Sequence, residues 1–163
     1  MKSPLWLPLM AAAVIPVVPV RAAADRDVPQ SEKARHIASL VDKAAGLIQE
    51  QGRAAAFAEF RKKGTMWFRG DIYIFADDMA AGNVLLNPAF PQHEGKNVID
   101  QKDANGKLLQ RAMVELLKEK EAGWVDYMWP KPGQTKPSLK WSYVRRVDLD
   151  GVPGLVGAGF YPE

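Results

Sequence analysis

Residues 31–63 run without a proline, and this stretch constrains the fold more than any other part of the chain. It is rich in Ala, Glu, Lys, Arg and Gln, all good helix formers. Ile37, Val41, Ala44, Ala45 and Ile48 recur at three- and four-residue steps, which draws one apolar stripe along a helix. Ser31 is placed to cap the first turn, and Glu32 follows where the helix dipole favours an acid. Gly46 and Gly52 weaken the pattern, so the spacing predicts a bend near Gln51 and Gly52 and a second piece carrying Phe57 and Phe60. A helix with one apolar face must be covered by something, and the rest of the chain supplies a sheet.

Beyond Thr65 the period changes from helical to alternating. Residues 71–77 mix β-branched and aromatic side chains, with Tyr73 and Phe75 on one face and Ile72 and Ile74 on the other. Turn residues follow from Asp77 to Asn83, and Val84, Leu85 and Leu86 form a return strand, ended by Asn87 and Pro88. Leu108, Leu109, Ala112, Met113, Leu116 and Leu117 mark another helix, ending before Gly123. Residues 124–129 and 139–145 flank a Pro- and Gly-rich loop and read as a second hairpin, and residues 155–161 as a last strand. The order is a long helix, two strands, a helix and three strands. It predicts an α+β domain with one antiparallel sheet of about five strands.

Residues 1–24 read as an export signal. Lys2 precedes an uncharged apolar run from Leu5 to Val20, and Ala22, Ala23 and Ala24 suit cleavage before Asp25. The run is short for a membrane span and is interrupted by Pro16 and Pro19. The expected division is therefore a signal peptide over 1–24 and one domain over 25–163, placed in the periplasm or secreted. Retention of the segment as an anchor is the alternative. Removing it takes Lys2 and Arg21 and no acid from totals of 22 basic and 19 acidic residues, leaving 20 against 19 and a net charge of +1. The +3 of the whole chain is thus no argument for nucleic acid as a partner. No cysteine is present, which excludes disulfides and thiolate chemistry.

Taken together, several pieces resemble the single Cache domain (Cache type 2), an extracytoplasmic sensor module with a PAS-like fold. They are Asp71-Ile-Tyr-Ile-Phe, Gly95-Lys-Asn, Asp103-Ala-Asn-Gly-Lys, Gly123-Trp-Val-Asp-Tyr-Met-Trp-Pro130, Lys140-Trp-Ser-Tyr-Val and Gly157-Ala-Gly-Phe-Tyr161. Gly52-Arg-Ala-Ala-Ala-Phe-Ala-Glu-Phe60 matches the end of the family's long helix. The first hairpin turn, residues 78–82, is longer than the family's tight turn, and Asn87-Pro88 stands where His-Pro is expected. That histidine's role is therefore not carried over. Family members often sit between membrane helices of chemoreceptors and histidine kinases, whereas this chain is expected to be a free-standing secreted form.

The resemblance implies a pocket between the sheet and the connection that joins its second and third strands, holding a small organic molecule, often a short carboxylate. Tyr73, Phe75, Tyr127, Trp129 and Tyr143 are the aromatic candidates for its wall. Lys140 and Arg111 are the candidate cations for an anion. Lys140 and Tyr143 are three positions apart, so on a regular strand they face opposite ways, and sharing one pocket requires a bulge. Phe75 and Trp124 also suit plain core packing.

Other constellations fail. Asp77-Asp78 and the stretch from Asp148 to Gly151 lack a full calcium-loop ligand series, and no helix opens after Gly157-Ala-Gly159 to bind a dinucleotide. His36 and His93 have no partner in a metal or triad pattern. The reading is a non-catalytic sensor for a small organic acid, without cofactor. Its alternative is a pocketless domain that binds a membrane receptor or kinase, and the long helix is a candidate surface for a homodimer.

Overall fold

The computed structural model describes residues 29–162. The export signal expected over 1–24 lies outside them. Helix α1 spans Glu32–Gln51 and is capped as its sequence predicts, Ser31 Oγ accepting from the Ala34 amide at 3.1 Å. Ile37, Leu40, Val41, Ala44 and Ile48 form its buried stripe, each of the larger ones contributing about 1.5–3 kcal/mol through burial. Gly52 ends it with φ 78° and ψ 162°, a conformation only glycine adopts without strain, and its amide still reaches Ile48 O at 2.9 Å. Helix α2, Arg53–Phe60, then starts in a new direction and buries Ala56 and Phe60.

The strand expected over 71–77 divides in two. Ile72–Tyr73 (β2) pairs with Phe68–Arg69 (β1) in a small ribbon, and Phe75–Asp78 (β3) enters the main sheet. Ile74 is the joint: its amide bonds to Trp67 O at 3.1 Å, while Phe75 begins a new pairing opposite Gly157. The alternation nevertheless survives the joint. Ile74 packs into the core under α1, and Tyr73 and Phe75 into the core on the other face.

The remaining elements are Val84–Leu86 (β4), Leu109–Glu119 (α3), Ala122–Pro130 (β5), Pro137–Asp148 (β6) and Pro153–Phe160 (β7). They complete a fully antiparallel five-stranded sheet of order β4-β3-β7-β6-β5. Strands β4 and β5 are consecutive in the main sheet's chain order yet occupy its opposite edges. The connection between them, residues 87–121, must therefore cross the sheet face, and α3 is part of it. Helix α1 packs on β6 and β7 from the other side. The result is three layers with two apolar cores, one under α1 and one under the crossing connection. Among the described residues no helix is long and apolar enough to cross a membrane.

Candidate functional site

The cavity under the crossing connection follows from strand alternation. On β6, Lys140, Ser142 and Val144 are buried on the α3 side, and the unbroken β5–β6 register puts Tyr127 directly opposite Lys140. Strand β7 contributes Gly157 and Gly159 to the same face. A Cβ on Gly157 would lie 2.5 Å from the Phe75 ring, and one on Gly159 would lie 2.7 Å from Lys140 Cε. The glycines expected to permit a close approach therefore make room for side chains of the sheet itself.

Above this floor is a cavity of about 40 Å³, bounded by Tyr73, Phe75, Asp77, Tyr127 and Trp129 from the sheet side. Gln110 and Met113 of α3 and His93 of the connection close it from above. At the roughly 10–15 Å³ that one water needs, it has room for about three waters. A larger trough of about 710 Å³ lies between α1 and β6, where Arg145 and Asp42 pair with each other at 3.1 Å.

Lys140 is 1% exposed. Its Nζ donates to Tyr73 Oη at 3.0 Å and stands 4.2 Å from the Tyr73 ring centre, with the Phe75 and Tyr161 rings at 5.6 and 5.7 Å. Burial pulls its pKa down to about 7, opposed only by the distant Asp71 carboxylate. Because Lys140 occupies the acceptor side of the Tyr73 hydroxyl, that hydroxyl keeps its own proton to donate. Burial, with Tyr127 nearby, holds the Tyr73 pKa well above the usual phenol value. Tyr127 Oη and Ser142 Oγ satisfy each other at 2.9 Å. Two buried donors, Gln110 Nε2 and Trp129 Nε1, have no partner. Gln110 adjoins Asp77, and the Trp129 indole adjoins Tyr73, but neither N–H completes a hydrogen bond. Unpaired buried donors are costly unless a guest or a water accepts from them.

The connection that roofs the cavity is fixed at both ends. Glu94 accepts from both Nη atoms of Arg61 at 2.8 and 2.9 Å and from the Asn87 amide at 2.8 Å. Asp103 accepts from the amides of Asn105, Lys107 and Met128, the last at 2.8 Å on β5. These bonds outweigh burial and lower the Asp103 pKa. Lys107 then reaches Asp126 Oδ1 at 2.7 Å. The Asp103-Ala-Asn-Gly-Lys piece is thus a tie between roof and sheet, and Asp126 is its anchor.

Of the residues singled out from sequence, Tyr73, Phe75, Tyr127 and Trp129 border the cavity and Lys140 stands directly behind Tyr73. Two do not join them. Arg111 sits on the outer face of α3, bound to Asp100 through Nε at 2.9 Å; its helical neighbour Gln110 has the inward direction instead. Tyr143 faces α1, its ring 5.2 Å from that of Trp124, because β6 has no bulge between it and Lys140. Sequence reasoning missed Asp77, Gln110 and His93. Asp77 was marked by its two-residue step from Phe75, and Gln110 by its three-residue step to Met113. His93 had no such signal.

Comparison with known proteins agrees with this architecture. A family model described as "Cache domain" matches residues 33–161. The methyl-accepting chemotaxis protein McpP of Pseudomonas putida is 28% identical over 144 residues, covering 82% of this chain and 25% of that protein. The chain thus spans a quarter of that relative's length. A solved periplasmic sensor domain of a chemotaxis protein superposes with TM-score 0.71 at 31% identity, over 80% of this chain and 95% of its own. A Cache chemosensory domain solved for its recognition of carboxylic acids gives TM-score 0.61 at 30% identity, over 77% and 86%. The fold is the PAS-like Cache fold, and this chain belongs to the Cache domain family.

Proposed function

We propose that the chain is an extracytoplasmic, non-catalytic sensor domain that binds a two- or three-carbon monocarboxylate in the cavity beneath the crossing connection. The observation that carries this reading is the pair of partnerless buried donors, Gln110 Nε2 and Trp129 Nε1, around a cavity that Tyr73 also lines. A carboxylate offers the acceptors these donors lack. Lys140 supplies the compensating charge through Tyr73, and the aromatic walls exclude water and strengthen both interactions. The similarity to a domain that recognises carboxylic acids supports the same ligand class. Export by residues 1–24, with 25–163 as the sensing domain, completes the reading, and a membrane receptor or kinase is the natural recipient of the signal.

The pocketless alternative has less support. The exposed positions of α1, among them Glu32, Arg35, Ser39, Asp42, Lys43 and Gln49, are all polar, and the apolar surface beside the helix is confined to Leu47, Met66 and Trp67. A thermal-shift screen of the purified protein with short carboxylates, amines and purines tests the proposal. Acetate or propionate is expected to raise the melting temperature and the others to leave it unchanged. A shift with amines or purines alone would overturn the reading.

A further inference from the structure

One wall residue is at odds with an anionic guest. Asp77 is 5% exposed and borders the cavity. Tyr73 comes from β2, Tyr127 from β5 and Gln110 from α3, while the connection adds His93. Of the groups nearby able to carry positive charge, Lys140 on β6 is bonded to Tyr73, and burial and the Lys96 ammonium lower the His93 pKa. No cation pairs with Asp77 among the described residues. Both Tyr73 and Tyr127 experience it as a repulsive neighbour. Burial raises its pKa to about 7, opposed by Gln110.

A carboxylate entering this cavity would place a second negative charge beside Asp77. Two carboxylates in one desolvated site cannot both stay ionised. A neutral Asp77, in contrast, has an O–H to give, which makes it another donor beside Gln110 and Tyr73. Resting on the short-carboxylate reading, we infer that Asp77 is itself a ligand-binding residue, holding the anion as a neutral carboxylic acid whose O–H is donated to a ligand oxygen. The proton comes from solvent and stays on Asp77, so no bond of the ligand is made or broken.

The consequence is a proton taken up with each ligand above neutral pH. Empty, Asp77 is ionised above pH of about 7, and the bound anion keeps it protonated to higher pH. Lys140, with its own pKa near 7 in the empty state, is likewise held protonated by the anion. Affinity therefore falls above pH 7 by about tenfold per pH unit for each group, or about a hundredfold for both.

The test is isothermal titration of the full protein with propionate from pH 6 to 8.5, in buffers of different ionisation enthalpy to count protons. Wild type is expected to take up close to two protons per ligand at pH 8. Asp77→Asn keeps a donor and removes the titrating group, so it should take up one and bind about tenfold more tightly than wild type at pH 8. An equal proton count in both proteins overturns the inference while leaving the carboxylate reading intact. So does glycine binding that Asp77→Asn abolishes, which would mean an ionised Asp77 paired with an ammonium. A folded wild type with no heat from propionate at pH 6 overturns both.

Discussion

Lys140 shows what a single buried cation costs a fold, and on the proposed function that cost serves binding. Its ammonium lies under Tyr73 and Phe75 with no carboxylate in contact, and burial lowers its pKa to about 7. Because the folded pKa is below the unfolded one, the unfolded chain binds the extra proton between about pH 7 and pH 10.5. The empty domain therefore gains stability as pH rises through that window, and below pH 7 the full cost remains. Lys140→Met should stabilise the empty protein by a few kcal/mol at pH 6. The gain should shrink by pH 9, as urea unfolding at the two pH values would show. The same variant should lose at least about a hundredfold in carboxylate affinity. Equal stability of variant and wild type at both pH values would contradict this account of the site. That Tyr73, Phe75, Tyr127 and Trp129 share one side of the sheet with Lys140 follows from strand alternation, which sets the side each residue takes. Arg111 lies on the outer face of α3 instead, because one step along a helix turns a side chain by about 100° and composition does not say which step points inward. Asp77 and Gln110 were passed over because an acid before a turn and a Gln on a helix ordinarily face water.

At the scale of elements, β7 matters more to the site than its small residues suggest. Gly159 passes beneath Lys140 and Ser142, where an added Cβ would meet Ser142 Oγ at 2.3 Å and Trp141 O at 2.5 Å. The backbone oxygen cannot move aside cheaply. Gly159→Ala should cost about 1–3 kcal/mol of stability in urea unfolding and weaken carboxylate binding as well, since Lys140 must leave its position over Tyr73. A variant with unchanged stability and affinity would show that this close packing is not needed. The break after α1 was readable from Gly52, which the sequence marks as a weak point in the helix, although Gly46, marked in the same way, lies inside α1 without breaking it. The division of β2 from β3 was not. It depends on Ile74 bonding to Trp67 and on the pairing of Phe75 with Gly157, both partners distant from the alternation that defines the strand.

For the whole molecule, the decisive feature is a connection that leaves one sheet edge at β4 and returns at the other as β5. Crossing the face makes a second core, and the polar residues caught in that core make the cavity. The layers, the five strands and their antiparallel pairing were legible from the order of periodic segments. Cavity size was not, because it depends on how Gln110, Met113 and His93 of the roof meet Tyr73 and Trp129. The ties at Glu94 and Asp103 hold that roof to α2 and β5, so the cavity belongs to the folded domain as a whole. Its size is also the most exposed part of the functional claim. Titration calorimetry of the full protein with the unbranched acids from acetate to hexanoate at pH 6 tests it directly. Acetate and propionate should bind, with affinity falling steeply beyond three carbons as the chain meets Met113 and the aromatic wall. Tightest binding by hexanoate, or no heat from any acid of the series, would contradict the account.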